Sequence, residues 1–231
     1  MASVQHSVLE ALESARNYNG WLASLALPYL GDDPLEIGSG RGTYAALWLE
    51  SGLERFTATE VDTELVAHLR ERFSDDPRVT VAELDLLDAP GANHSTVVAF
   101  NVLEHIADDV AGLRSASLLV RPGGAVVLVV PAFSVAMSRF DRDIGHYRRY
   151  TAKTMRTAFA DAGLTVEELR YLNAPGLLAW ITGMRLLRMA PREGFVLRAW
   201  DRVVVPPTRA LERRWRPPFG QSLLAVGRTA V

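Results

Sequence analysis

Along the first 135 residues, the pattern of hydrophobic and polar positions switches repeatedly between the spacing typical of strands and the spacing typical of helices. Segments typical of strands, either apolar or with apolar residues on one face, occur at residues 33–37, 55–60, 78–83, 96–101 and 125–130. Between them, residues 43–50, 63–73 and 108–120 carry apolar side chains at helical spacing. The run at 96–101 is almost wholly apolar, as expected for a strand buried on both faces of a parallel sheet. Such alternation predicts a doubly wound, Rossmann-like α/β sheet with right-handed crossovers.

The remaining pattern predicts helices before this core and an insertion after it. We expect helices over residues 4–15 and around Trp21, Leu22, Leu25 and Leu27, an aperiodic stretch at 132–150, a helix at 151–162, and strands at 164–172 and 222–227. About fifty residues between the last two strands is long for a loop, so a helical cap is expected at about 174–216. We predict one domain over 1–231, with N-terminal helices (1–31), a cofactor-binding core (32–135) and a substrate-side region (136–231).

Composition and charge narrow the class of protein. The 231 residues contain no cysteine, which excludes disulfides and thiolate metal sites. Neither a secretory signal nor a membrane-spanning run is apparent, and we expect a cytoplasmic protein. Residues 1–138 carry 8 basic against 19 acidic residues (net −11), and residues 139–231 carry 17 against 8 (net +9). This asymmetry is compatible with a simple preference for surface arginine or with peripheral membrane contact; no nucleic-acid motif accompanies it, so no nucleic-acid partner is expected.

The first predicted strand runs into the glycine-rich turn Gly38-Ser39-Gly40-Arg41-Gly42. Glycines there let backbone N–H groups approach a ligand closely. The pattern alone would also suit a nicotinamide or flavin enzyme, but Gly42 comes one residue too early for the usual Gly-x-Gly-x-x-Gly form. Glu60 and Asp62 end the second strand, where an acid can accept hydrogen bonds from ribose hydroxyls. Glu60 therefore does not discriminate between these cofactors.

Five motifs follow one another along the chain: Leu35-Glu36-Ile37-Gly38-Ser39-Gly40-Arg41-Gly42, Thr59-Glu60-Val61-Asp62, Leu84-Asp85-Leu86, Asn101-Val102-Leu103-Glu104-His105-Ile106 and Arg121-Pro122-Gly123-Gly124. In this order they make the sequence resemble class I S-adenosylmethionine-dependent methyltransferases (type 11/12-like). The resemblance covers roughly residues 30–135. The Asn-x-Leu-Glu-His form is similar to a subgroup that includes quinone-biosynthesis methyltransferases.

The resemblance implies a cofactor, S-adenosylmethionine, with S-adenosylhomocysteine as product, and a seven-stranded sheet whose last strand is antiparallel and inserted next to the edge. It also implies the cofactor-binding residues Glu36, Gly38, Ser39, Gly40, Glu60, Val61, Asp85, Leu86 and Asn101. In these terms Gly38 and Gly40 line the methionine portion and Glu60 holds the ribose, with Asp62 as its substitute. Asp85 and Leu86 meet the adenine, and Asn101 lies beside the sulfonium.

The chemistry is harder to assign, because a sulfonium is already an activated methyl donor and positioning can supply much of the rate. His146, His105 and Tyr150 are the candidate catalytic groups, with the two histidines able to act as bases near neutral pH. The candidate substrate-binding residues are Tyr18, Tyr147, Arg148 and Arg149, the two arginines as clamps for an anion. Related proteins that bind a divalent cation through this motif carry an acid in place of Asn101, so we assign no metal ligand.

We therefore expect an S-adenosylmethionine-dependent methyltransferase for a small molecule, either a natural product or a lipid-like envelope precursor. Oxygen is favoured over nitrogen or carbon as the acceptor because candidate bases are present. Two alternatives stay open from the sequence: an NAD(P)-dependent oxidoreductase, and a cofactor-binding module without catalysis.

Overall fold

A seven-stranded sheet forms the centre of the computed structural model, which describes residues 14–186 and 195–230. Its strands are β1 (Pro34–Ile37), β2 (Phe56–Glu60), β3 (Val79–Glu83), β4 (His94–Phe100), β5 (Val120–Pro131), β6 (Thr165–Leu172) and β7 (Ser222–Arg228). Their order is β3-β2-β1-β4-β5-β7-β6. The first five are parallel, whereas β7 is antiparallel to both β5 and β6. The predicted Rossmann-like sheet with an antiparallel last strand is confirmed.

Nine helices of the described ranges accompany the sheet. They are α1 (Arg16–Ala26), α2 (Thr43–Glu50), α3 (Thr63–Arg72), α4 (Asp109–Leu118), α5 (Arg139–Asp143), α6 (Ala152–Asp161), α7 (Ala174–Trp180), α8 (Phe195–Val203) and α9 (Val205–Glu212). A π-helical segment, Ile181–Leu186, continues α7. The last three helices form the predicted insertion before β7. The helix predicted over residues 4–15 falls almost wholly outside the described residues.

Two hydrophobic layers sandwich the sheet, and successive strand residues alternate between them. Val97 and Ala99 face the layer covered by α4 and α6, while Val98 and Phe100 face the layer covered by α1, α2, α3 and α9. This two-residue alternation explains why β4 is apolar from Val97 to Phe100, since both of its faces are covered. No helix in the described part of the chain is long and apolar enough to cross a membrane.

Local hydrogen bonding explains where the elements depart from the sequence pattern. The stretch predicted to be aperiodic contains α5, which starts at a capping box formed by Ser138 and Asp141. Pro206 and Pro207 stand in the first turn of α9, where a proline costs no intrahelical hydrogen bond. Strand β5 begins at Val120, five residues before the predicted start, with an irregular register opposite β4.

Candidate active site

The carboxyl ends of β1 to β4 meet at one edge of the sheet, because all four strands are parallel and adjacent. The glycine-rich turn follows β1, Glu60 ends β2, Asp85 follows β3 and Asn101 follows β4. Ligands in open α/β sheets bind at this edge. The predicted cofactor residues therefore belong to four neighbouring loops of one surface.

The glycine-rich turn depends on glycine for its backbone conformation. Gly38, Gly40 and Gly42 have φ angles of +67°, +55° and +80°, which L side chains rarely adopt. A Cβ atom at Gly38 would also lie 2.7 Å from a methyl of Val102, and one at Gly42 would lie 2.6 Å from the Phe73 ring. The turn thus requires glycine at Gly38 and Gly42 both for its backbone angles and for its close packing against Val102 and Phe73.

Glu60 is buried and stabilises this turn through hydrogen bonds. Its Oε1 accepts a hydrogen bond from the Gly40 N–H at 2.7 Å, and its Oε2 accepts one from the Val61 N–H at 3.1 Å. Burial raises the pKa of Glu60, opposed by these backbone donors. Each oxygen has a second lone pair that a ribose hydroxyl can use. Asp62, in contrast, caps α3 by accepting from Glu64 N–H and Leu65 N–H.

Glu36 is buried within β1 immediately before the turn. Its Oε2 has no hydrogen-bond partner among the described residues. Burial raises the pKa of this carboxyl to about 8, opposed by a hydrogen bond from Ser39 and reinforced by the charge of Glu60. A buried acceptor without a donor at this position fits a cationic ligand such as the ammonium group of S-adenosylmethionine. The residues present therefore suit that cofactor.

The remaining predicted cofactor residues differ in exposure. Val61 and Asp85 are exposed, Leu86 is buried, and Asp85 accepts a hydrogen bond from Leu87 N–H. Asn101 is exposed and has a φ angle of +55°, an uncommon conformation outside glycine that is often found at functional sites.

A polar cluster lies beyond β4 and β5 on the same edge. Glu104 and His105 follow β4, and His146 comes from the loop after α5. The His105 and His146 rings are 4.6 Å apart in an edge-to-face arrangement. His146 directs Nδ1 to Oδ1 of Asp141 at 3.0 Å and Nε2 toward Oε1 of Glu104 at 3.8 Å. His146, one of the two histidines predicted as catalytic candidates, is therefore hydrogen-bonded to the Asp141 carboxylate on one side and faces the Glu104 carboxylate on the other.

Glu104 is fully buried, and neither of its carboxylate oxygens has a hydrogen-bond partner among the described residues. Burial raises its pKa to about 8, opposed by its own backbone N–H and by Arg149. Burial and the charge of His146 lower the pKa of His105 to about 4, so His105 is a neutral imidazole at neutral pH. One oxygen of Glu104 and one ring nitrogen of each histidine lie within 4.8 Å of one another, close enough to hold a metal ion. Sequence reasoning considered only the motif after β4 and missed His146 as a third donor.

The predicted substrate residues are largely engaged within the protein. Arg149 is buried and donates two hydrogen bonds to Asp141 through Nε and Nη2, at 2.9 and 2.7 Å. Arg148 pairs with Asp109 at 2.9 Å, and the buried Tyr150 donates its hydroxyl to the same carboxylate at 2.9 Å. To clamp a substrate anion, either arginine would have to leave an ion pair.

Two tyrosines complete the predicted set. Tyr147 is exposed beside His146. Tyr18, on α1, shares a hydrogen bond of 3.1 Å with Ser222 at the start of β7, where that antiparallel strand meets the carboxyl end of β5. Both therefore lie along the edge that carries the cofactor loops.

Asp141 is the important side chain that sequence reasoning left out of the candidate site. It is fully buried, caps α5, pairs with Arg149 and orients His146. These bonds hold the pKa of Asp141 well below its ordinary range despite its burial. Ser138, three residues earlier, was the available signal, because Ser-x-x-Asp is a capping pattern that predicts a helix start.

Comparison with known proteins agrees with this arrangement. A sequence model of a methyltransferase domain family matches residues 9–169, well over half of the chain. The chain belongs to this methyltransferase family. S-adenosylmethionine is accordingly the cofactor, and the oxidoreductase alternative is excluded.

Individual relatives are more distant. A probable S-adenosylmethionine-dependent methyltransferase of Mycolicibacterium smegmatis is 30% identical over 142 residues, which cover 60% of this chain and 54% of the relative. A ubiquinone biosynthesis O-methyltransferase of Parvibaculum lavamentivorans is 28% identical over 152 residues, covering 58% and 59%. The chain thus spans about half the length of these curated relatives.

Solved structures support the fold. The complex between the Haloferax volcanii Trm112 methyltransferase activator and a putative methyltransferase includes a chain that aligns with a TM-score of 0.66 at 19% identity. The alignment covers 94% of this chain and 91% of the other. At that identity, the likeness establishes the methyltransferase fold alone.

Proposed function

We propose that this methyltransferase transfers a methyl group from S-adenosylmethionine to an oxygen atom of a small, lipophilic acceptor, with His146 as general base. The observation that carries the proposal is the pair formed by Asp141 and His146. Nδ1 of His146 lies 3.0 Å from Oδ1 of Asp141, and because a carboxylate only accepts hydrogen bonds, this contact assigns the proton to Nδ1 and leaves Nε2 as proton acceptor. A base oriented by a third group is the arrangement that activates hydroxyl nucleophiles.

His146 is better suited to this role than the other two candidates. No carboxylate of the described residues forms an ion pair with His105, and the lowered pKa of its ring makes it a poor proton acceptor. The hydroxyl of Tyr150 donates to Asp109, and burial next to that carboxylate raises the pKa of Tyr150 far above neutrality. We retain both residues as predicted site residues without assigning them the proton transfer.

The proposed reaction is a single in-line displacement. The acceptor oxygen bonds to the methyl carbon as the carbon–sulfur bond breaks, and the hydroxyl proton passes to Nε2 of His146. The products are the methyl ether or ester and S-adenosylhomocysteine. The imidazolium so formed is stabilised by Asp141 and by the negative charge of Glu104 when that group is ionised.

A lipophilic acceptor is supported by the side chains around this loop. Phe140 and Trp180 pack edge-to-face with ring centres 6.0 Å apart, and Trp180 donates its indole N–H to the Ala136 carbonyl. Val135 and Tyr147, which precede and follow Phe140 in the chain, are exposed. The ubiquinone biosynthesis relative is named for O-methylation in the formation of a lipophilic quinone, which agrees with both parts of the proposal.

The proposal is tested by measuring S-adenosylhomocysteine release from the purified protein with hydroxylated lipophilic acceptors in micelles. We expect turnover in the wild type and a loss of about 10²–10⁴-fold in His146→Ala. Calorimetry should show unchanged S-adenosylmethionine affinity in that variant, because the predicted cofactor loops follow β1 to β4 whereas His146 lies in the loop after α5.

A matched control is His68→Ala on α3, which removes a histidine outside the cluster. Full activity of His146→Ala would contradict the base assignment. Tight cofactor binding without release from any acceptor would instead favour the non-catalytic alternative.

A further inference from the structure

Helices α8 and α9 pack against the rest of the protein through one face. Val204 N–H donates to Trp200 and Thr208 N–H donates to Val204, so the two helices follow one another almost without a break. Asp201, Val205, Thr208 and Glu212 are buried and recur every three or four residues. The two helices therefore present one inward stripe to the rest of the fold.

The two acidic residues of this stripe, Asp201 and Glu212, accept hydrogen bonds from backbone groups of the protein. Asp201 accepts from the backbone N–H groups of Asn17 and Tyr18 on α1. Glu212 accepts from the N–H groups of Asn173 and Ala174 at the start of α7. They are the only acidic residues between positions 195 and 219. No carboxylate is therefore available on the outer face of this segment.

The outer face carries large apolar side chains in water. Val196, Val203, Leu211 and Trp215 are 76%, 69%, 59% and 49% exposed. They stand seven, eight and four residues apart, so at about 3.6 residues per turn they spread over about 120° of the helix circumference. Trp215 N–H still donates to Leu211, so the helical path extends to it. Together these four residues form an exposed apolar stripe beside the buried one.

Arginines flank this stripe. Six lie between positions 195 and 219, and Arg198, Arg202, Arg213 and Arg214 are exposed and make no ion pair with any described residue. Of the other two, Arg216 pairs with Glu168 and Arg209 donates to Ser24. Every exposed charge along the stripe is thus positive.

We propose that the outer face of α8 and α9 binds the surface of an anionic lipid bilayer. A helical segment with an apolar stripe, flanking cations and a tryptophan at its end is suited to the interface between lipid headgroups and acyl chains. Juxtaposed arginines add an attraction for anionic headgroups that falls with salt. Charge complementarity favours lipid over a second copy of this chain, whose matching face would present the same positive charges.

The position of this face also fits the proposed lipophilic acceptor, although bilayer binding does not require it. The insertion begins with α7, where Trp180 contacts Ala136 and stacks over the Arg149 guanidinium at 4.8 Å. Arg149 in turn holds Asp141 beside His146. One insertion therefore joins the loop that carries the base to the face proposed to lie on lipid.

The test is co-sedimentation of the full chain with vesicles, measured without cofactor or acceptor so that the result is independent of methyl transfer. We expect binding to vesicles of equal parts phosphatidylglycerol and phosphatidylcholine, weaker binding at high salt, and little binding to phosphatidylcholine alone. Replacing both Arg213 and Arg214 with alanine should lower the partition coefficient by about 30-fold. Val203→Ser with Leu211→Ser should lower it by at least about tenfold.

The matched control is Leu118→Ser with Arg156→Ala, an exposed leucine and an exposed arginine on α4 and α6, which cover the opposite face of the sheet. This control should bind like the wild type. Thermal unfolding of all variants establishes that each is folded. Absence of vesicle binding in the wild type, or equal binding by the α8–α9 variants, would overturn the proposal. A monodisperse dimer that these variants dissociate would show instead that the face meets a second copy.

Discussion

Oδ1 of Asp141 lies 3.0 Å from Nδ1 of His146, and the same oxygen accepts both hydrogen bonds from Arg149. One buried carboxylate therefore orients the proposed base and neutralises a buried cation. The hydrogen bond with His146, the charge of Arg149 and the hydrogen bonds from Ser138 lower the pKa of Asp141 and keep it ionised despite its burial. An ionised Asp141 in turn holds the proton of His146 on Nδ1 and leaves Nε2 to accept the proton of the acceptor.

Asp141→Asn should reduce kcat by about 100-fold with little change in KM for the acceptor. An amide can present its N–H to Nδ1 and favour the tautomer that carries the proton on Nε2, which cannot act as base. Steady-state kinetics measures the effect, with Asp143→Asn, an exposed residue of α5, as control. An unchanged kcat in a folded Asp141→Asn variant would show that Asp141 does not position the base.

The pair formed by Asp141 and Arg149 should also matter for stability. Arg149→Leu removes the cation and leaves a buried carboxylate, so we expect the free energy of unfolding to fall by about 3–5 kcal/mol. Arg139→Ala breaks an exposed pair with Asp143 in the same segment and should leave stability nearly unchanged. Urea unfolding of both variants makes the comparison. Equal effects would mean that burial does not distinguish the two pairs.

Glu36 should make the stability of the cofactor-free protein depend on pH. Its pKa is raised from an ordinary 4.5 to about 8 in the folded state, so the folded state binds the proton more tightly. The stabilisation is fully present below the unfolded pKa and is lost as the pH rises through about 8.

Unfolding measured at about pH 6 and about pH 9 should show a smaller decrease in Glu36→Gln than in the wild type. Other groups with raised pKa values, such as Glu104, remain in both proteins and cancel in the comparison. A wild-type decrease no larger than that of the variant would contradict the assignment of this proton to Glu36.

Gly38→Ala should weaken S-adenosylmethionine binding by at least about tenfold. The new Cβ would meet Val102 at 2.7 Å in a backbone of positive φ, and the turn would have to shift. Gly52→Ala is the control, because its φ is +95° but nothing lies within 4 Å of the added carbon. Calorimetric titration compares the two. Unaltered affinity in Gly38→Ala would place the cofactor away from this turn.

The fold was largely predictable because burial on both faces leaves long apolar runs, as in β5, and because parallel strands need helical crossovers. The antiparallel β7 followed from the family resemblance. The site was less accessible to sequence reasoning. Glycine and acidic motifs mark the cofactor loops locally, whereas the cluster of Glu104 and His146 joins residues about forty positions apart. That juxtaposition depends on α5, whose short capped helix has no periodic signal.

The dependence on packing between distant parts of the sequence also explains why the ion pairs of Arg148 and Arg149 were not predicted. Arg148 and Arg149 suggested a clamp because two adjacent cations follow a buried strand. Their ion pairs with Asp109 and Asp141 depend on the packing of α4 and α5, which no local pattern specifies.

The most direct test of the central proposal is to follow a ¹³C-labelled methyl group from S-adenosylmethionine to product by NMR, with chelator present. We predict an oxygen-bound methyl group on the lipophilic acceptor in the wild type and none in His146→Ala at the same time point. A nitrogen- or carbon-bound methyl group, or equal product from His146→Ala, would contradict the proposed reaction. Activity lost to the chelator and restored by a divalent cation would show that Glu104, His105 and His146 act as metal ligands and not through a base.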